Sequence, residues 1–236
     1  MRQLLPLLAI VAAPVFAGQF SVSPIRVDLN NAQKSEAITV ANTGDTPLRI
    51  SVELKRWTQD ATGADHYQAG NELVYFPRQM EVPVGEKRIV RVGRKGAPKA
   101  SEAAYRLYIN EQPPEASSNA GGQVSMVVSF GVPVFVAPKT PDAQLQMHTP
   151  RVEKGNLILD LKNSGNSTVR LSRAVLGDEV IDNFPRWYLH PGIKQHYQLP
   201  LPQAACKLSG EVQLTLESTL KPQTTTITLP KNPCAQ

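Results

Sequence analysis

Apolar and polar residues alternate with period two through most of the chain, in short runs closed by turn residues. Leu48, Ile50, Val52 and Leu54 interleave with Arg49, Ser51, Glu53 and Lys55. Successive strand side chains face opposite sides, so this run predicts a half-buried β-strand, with Trp57 after it closing the core. Phe20 to Leu29 alternates with one phase shift at Pro24, which suits an edge strand or a bulge. Ala37–Val40, Leu73–Phe76, Arg88–Val92 and Tyr105–Ile109 continue the series, and Asn42-Thr-Gly-Asp45 is a strong turn cluster. Pro138-Lys-Thr-Pro141 interrupts the pattern. A second series follows: Leu157–Leu161, Val169–Arg173, Gln195–Leu199 and Val212–Leu216, with Asn163-Ser-Gly-Asn166 echoing the earlier turn. No segment sustains a 3.6-residue period, and twenty prolines argue against helices, whose interiors they break. The expectation is an all-β protein of two β-sandwiches, residues 18–137 and 141–236, each near the usual ~100 residues for that architecture.

Composition adds an address. Met1-Arg2, an apolar Leu4–Phe16 run and Val15-Phe16-Ala17 have the form of a secretory signal peptide, residues 1–17, cleaved after Ala17. The run is too short and too proline-broken to span a bilayer, which takes ~20 apolar residues, so direct membrane insertion is not expected. An exported chain meets an oxidising compartment, where Cys206 and Cys234, its two cysteines, are expected to form a disulfide tying the C-terminal tail to its domain.

Residues 124–136 are the most unusual stretch. Val124, Met126, Val128, Phe130, Val132, Val134 and Val136 all fall on one face of an extended strand of roughly 43 Å, at ~3.3 Å per residue. The stretch carries no charge, although exposed strand edges are normally blunted with charge, and Pro133 keeps it from being central along its whole length. Two readings follow: a long core strand ending the first sandwich, or a strand lent to another protein, whose affinity comes from main-chain hydrogen bonds and whose specificity comes from alternate side chains. Gln112 to Gln123, with its Pro-Pro, Ser-Ser and Gly-Gly pairs, reads as a loop leaving that strand accessible.

The order of these features resembles a known family. The signal, two sandwiches, Ala41-Asn-Thr-Gly44, Val82-Pro-Val-Gly85 with Val90-Arg91-Val92, Tyr105-Arg-Leu-Tyr-Ile-Asn-Glu-Gln-Pro-Pro114 and the long strand ending in Ala137-Pro138 are similar to the periplasmic chaperones of chaperone–usher pilus assembly. The resemblance implies two immunoglobulin-like domains set at an angle, no enzymatic activity and no cofactor. It implies a pilus subunit and an outer-membrane usher as partners, with self-association of the free chaperone through exposed strands. By position, Val124, Met126, Val128, Phe130 and Val132 match the donor residues that complete a subunit's fold by strand addition. Arg26 matches the cleft arginine that anchors the subunit's C-terminal carboxylate, a task suited to a planar, always-charged guanidinium. Two positions depart from the pattern. The family's second anchor, a lysine, falls on Pro133, and the interdomain ion pair has its acidic member at Glu111 but Ala137 where an arginine is expected.

The remaining chemistry is sparse. Net charge is +5, with Lys87, Arg88, Arg91, Arg94, Lys95 and Lys99 clustered. No aromatic interleaves them for base stacking, so nucleic acid is not an expected partner and a solvated strand face, or a subunit or usher contact, is. His66, His148, His190 and His196 are scattered without metal-ligand spacing, and Asp178-Glu179 are adjacent and so face opposite ways, which is poor for paired acid–base work. The alternative function is a secreted β-sandwich adhesin or carbohydrate-binding module using Trp187-Tyr188.

Overall fold

The computed structural model describes residues 20–113 and 127–234. The signal peptide expectation, most of the Gln112–Gln123 loop, and Val124 and Met126 lie outside those residues. The first half contains β1 (Phe20–Ser23), β2 (Val27–Leu29), β3 (Ser35–Asn42), β4 (Leu48–Gln59), β5 (Asp65–Ala69), β6 (Leu73–Phe76), β7 (Gln79–Val82), β8 (Lys87–Arg94), β9 (Ala103–Glu111) and β10 (Ser129–Val136). One sheet runs β1-β3-β8-β6; the facing sheet runs β2-β10-β9-β4-β5, with β7 also on β4. Alternation puts Ile50, Val52 and Leu54 of β4, Leu107 and Ile109 of β9, and Val132 and Val134 of β10 into one core with Ile38, Val40, Val90 and Val92.

The phase shift at Pro24 has a physical cause. The chain leaves one sheet after β1, which pairs with β3, and enters the other at β2, which pairs with β10. Ile25 and Arg26 lie on this crossover, Ile25 exposed and Arg26 half-buried.

The second half contains β11 (Leu145–Glu153), β12 (Asn156–Asn163), β13 (Val169–Leu176), β14 (Glu179–Ile181), β15 (Tyr188–Leu189), β16 (Lys194–Pro200), β17 (Gly210–Ser218) and β18 (Gln223–Leu229). Its sheets run β11-β12-β16 and β14-β13-β17-β18 around a core of its own. Cys206 and Cys234 are joined, their Cα atoms 5.3 Å apart. The Gly155 N–H donates to the Pro233 carbonyl beside them, so the tail is fastened to the β11–β12 turn.

The repeated Asn-x-Gly turn has the same construction twice. Buried Asn42 donates to the Thr46 and Val82 carbonyls, and its Oδ1 accepts from the Gly44 N–H. Buried Asn163 donates to the Ser167 and Leu189 carbonyls and accepts from the Gly165 N–H. An unpartnered buried amide costs about 1–3 kcal/mol, so both carboxamides have their hydrogen-bonding capacity filled by the turn they close.

Trp57 does not close the first core. It is buried, but in a separate cluster with Ala104, Phe135 and Tyr188, where the two halves meet. Alternation along β4 is unbroken, so Trp57, an odd-numbered position, falls on the face opposite Ile50, Val52 and Leu54, which is the outer face of the sheet.

Candidate functional site

The main-chain directions of β10 decide what it can offer. The Val128 carbonyl accepts from the Glu111 N–H, and Ala137 donates to the Leu29 carbonyl. In an antiparallel ladder alternate residues turn their polar groups to opposite sides. Phe130, Val132 and Val134 therefore bond to β9, while Ser129, Gly131, Pro133 and Phe135 turn N–H and C=O the other way. On that side β2 reaches only Val134–Val136. Ser129 to Pro133 thus have β9 on one flank and, among the described residues, no strand on the other. Pro133 sits at a position whose missing N–H would have pointed to the open flank, so it costs the β9 ladder nothing.

The described part of the donor segment is graded in burial. Val132 is fully packed in the first core, and Val134 with it. Val128 and Phe130 are half-buried at the core's margin, with the Phe130 ring edge-on to Phe20 at 5.0 Å. Among the described residues the strand begins at Ser129; residues 124–126 of the stretch for which the alternation predicts a strand lie outside them.

Arg26 lies over the outer face of this sheet. Its guanidinium carbon is 4.6 Å from the Phe135 ring centre and 6.0 Å from that of Tyr188. The Asp28 carboxylate holds it bidentately, Nε donating at 2.8 Å and Nη2 at 2.7 Å. That ion pair raises the arginine's pKa, against partial burial, so it is a cation at every relevant pH. Arg26 therefore stands at the mouth of the seam between the halves, charged and resting on an aromatic floor.

That floor also joins the halves. Trp57 meets Tyr188 edge-on at 5.3 Å, Phe135 at 6.0 Å and His190 at 4.4 Å. Gln59 donates to the Tyr188 carbonyl and accepts from the His190 N–H. Glu102 donates its N–H to the Asn166 carbonyl, and its carboxylate accepts from the Thr168 N–H. Burial raises the Glu102 pKa above the ordinary carboxylate range. The expectation for Glu111 is corrected: it lies at the end of β9 remote from this seam, where its carboxylate accepts from the Val128 N–H. Glu102, immediately before the other end of that strand, is the acidic residue that reaches across.

The other candidates are separated. His66 pairs with Asp60 at 2.9 Å and His196 with Asp160 at 2.7 Å, both near the surface. Among the described residues, no three His, Cys, Asp or Glu side chains are grouped to hold a metal ion. In the basic cluster, Arg94 donates to the Asn30 and Gly96 carbonyls, Lys95 to that of Asn71, and Arg88 pairs with Glu86, leaving Lys87 and Arg91 on the exposed face of β8. Tyr188 is buried in the seam and Trp187 is exposed, so the two do not form one stacking surface.

Residues 19–142 match the model of the family described as pili and flagellar-assembly chaperone, PapD N-terminal domain. A comparison with curated proteins finds no match. Among solved structures, the chain is similar to the CsuC chaperone complexed with the tip adhesion subunit CsuE, from archaic chaperone–usher Csu pili of Acinetobacter baumannii: 21% identity, 88% of this chain, 97% of that one, TM-score 0.61. It is similar to SafB, the chaperone complexed with the SafA pilin of Salmonella enterica: 15% identity, 92% and 99% coverage, TM-score 0.63. The chaperone DraB of E. coli follows at 20% identity, 90% and 98% coverage, TM-score 0.57. At these identities the likeness shows the fold: two β-sandwich domains of the immunoglobulin-like kind.

Proposed function

The chain belongs to the pili and flagellar-assembly chaperones, and from that premise we propose that it works in the periplasm, where it binds, folds and caps a pilus subunit by strand addition and hands it to an outer-membrane usher. The observation that carries this reading is the open flank of Ser129–Pro133 beside half-buried Val128 and Phe130. A strand laid along that flank gains main-chain hydrogen bonds, and the apolar residues running N-terminally from Phe130 fill the groove of a subunit lacking a strand of its own. Val124, Met126 and Val128 supply that filling, with Phe130 as a fourth. Val132 stays in the chaperone's core and fixes the register. Each apolar side chain fully buried in a partner contributes about 1.5–3 kcal/mol before ordering costs, enough over four residues for a tight complex.

Arg26 receives the subunit's terminal carboxylate in this reading. Its position over Phe135 is dry on one side, which strengthens a charge-assisted bond, and Asp28 keeps its fork oriented until the carboxylate arrives. No cofactor or nucleotide enters the cycle. Handover at the usher follows from replacing the chaperone's strand with one that fits the subunit better. The domains divide near residues 137–141, and the signal peptide is removed after Ala17.

The test is a pull-down from the periplasm of the native host, using the chain with a C-terminal tag and mass spectrometry of what is retained. A stoichiometric β-rich subunit, lost on Val128→Glu in a chain that still melts cooperatively, is the expected result. A chain that retains no partner with or without the substitution contradicts the strand-lending reading.

A further inference from the structure

Away from β10, the three-stranded sheet of the second half carries an unbalanced set of charges. In the ladder joining β12 to β16, Lys162 stands directly opposite Lys194, and Asp160 directly opposite His196. On its other flank Asp160 is opposite His148 of β11. Directly opposed residues share a face, so two lysines and two histidines surround the Asp160 carboxylate on one face of this sheet. That carboxylate is already engaged. It accepts from His196 Nδ1 at 2.7 Å and from Arg151 Nη1 at 3.2 Å. Among the described residues no ion pair or hydrogen bond engages the side chain of Lys162 or Lys194. Like charges placed directly opposite in a ladder repel, so this pair is a cost to the fold with no acid beside it to offset it.

The same side chains line a cavity of about 320 Å³ that Ala61 and Thr62, from the β4–β5 turn of the first half, also line. The turn is seated firmly. Gly63 has a φ of 76° and lies so close to β16 that a Cβ there would overlap the Gln195 side chain. Asp60, the acidic residue of that turn, is filled by its own surroundings: it accepts from the Thr62 N–H and hydroxyl and from the Ala64 N–H, and it pairs with His66. The acids near the cavity are thus satisfied, and the lysines are not. Its volume is at the lower end of small-ligand sites and ample for a tetrahedral oxyanion.

We propose that this cavity binds a phosphate-type oxyanion, brought either as free phosphate or as an anionic headgroup, between the Lys162 and Lys194 ammonium groups with His148 as a flanking donor. Ammonium groups are compact charges with rotatable donors and suit a phosphate approached from several sides. An oxyanion held there turns the repulsion of the opposed lysines into attraction. It also bridges the β4–β5 turn of the first half to β12 and β16 of the second. That turn joins the two strands of its sheet farthest from β2 and β10, so the site is separate from the open flank and does not rest on strand addition.

The test titrates the whole chain with sodium phosphate at constant ionic strength, set with chloride, and follows backbone amides by NMR together with the melting temperature. A saturable response is expected, with shifts confined to residues 61–62, 146–148, 160–162 and 194–196. The melting temperature is expected to rise with phosphate, since the site exists only in the folded chain. Lys162→Gln/Lys194→Gln is expected to melt cooperatively and to lose at least about tenfold in phosphate affinity. Lys87→Gln/Arg91→Gln removes the same charge from the exposed face of β8 and binds phosphate as the wild type does. Vesicles of phosphatidylcholine with and without phosphatidylglycerol separate the two sources. Flotation with the phosphatidylglycerol vesicles alone, lost in Lys162→Gln/Lys194→Gln, assigns the site to a headgroup; saturation by phosphate without flotation assigns it to the free anion. A chain that responds to neither probe overturns the proposal, as does a response that chloride reproduces or that Lys162→Gln/Lys194→Gln retains. Should that variant not fold, the wild-type amides decide: shifts centred away from the cavity overturn the site.

Discussion

Gln59 and His190 meet across the seam between the two sandwiches. The Gln59 Oε1 accepts the His190 N–H while its Nε2 donates to the Tyr188 carbonyl, both at 2.9 Å. One carboxamide thus imitates a strand for two residues of the other half. Gln59→Ala leaves both main-chain groups without that partner and is expected to cost about 1–3 kcal/mol in chemical denaturation. Small-angle scattering is expected to register a wider spread of interdomain angles. Unchanged scattering and stability would mean that the aromatic floor alone sets the angle.

The same seam predicts a pH dependence. His190 is 6% exposed, and burial pushes its imidazole down from 6.5 to about 4, with Arg56 and Arg106 acting in the same direction and Asp65 opposing. Between those values the unfolded chain binds a proton that the folded chain excludes, so stability falls as pH drops from about 6.5 towards 4 and levels off below. The slope is at most about 1.4 kcal/mol per pH unit, roughly 3 kcal/mol in all. Urea melts at pH 7.5 and 4.5 are expected to differ by less in His190→Gln than in the wild type. Equal differences would remove His190 as the cause.

Much of this was legible in the sequence, and what was hidden has a common physical origin. The run Leu48–Leu54 and the Asn42 and Asn163 turns are local patterns, and each became the strand or turn it predicted. β5 has no buried residue and β18 is threonine-rich, so neither shows a clear apolar alternation. Trp57 reads as a core plug because a large aromatic after an alternating strand usually is one. Its actual partners, Phe135 and Tyr188, come from distant strands.

The disulfide between Cys206 and Cys234 closes a loop of 28 residues. On chain entropy it contributes about 3–4 kcal/mol, by restricting the unfolded chain. The Cys206→Ala/Cys234→Ala variant is expected to unfold at correspondingly lower denaturant while binding the subunit unchanged, since the bridge lies in the second half, away from β10. A binding defect in the folded variant would contradict that separation.

Arg26→Ala is the complementary case. Asp28 is more than half exposed, so losing this surface pair is expected to change stability by under about 1 kcal/mol. The loss should appear in binding instead, as recovery of the subunit from periplasm falls at least about tenfold. Full recovery would place the terminal carboxylate elsewhere.

The most direct test of strand addition is amide hydrogen exchange of the chain alone and bound to its captured subunit, read at single residues along β10. Phe130 and Val132 donate to β9 and are expected to be protected in both states. Ser129 and Gly131 face the open flank, so they should exchange fast in the free chain and slow at least about tenfold on binding, as new ladder bonds form. A complex in which Ser129 and Gly131 exchange as fast as in the free chain would contradict strand addition at β10.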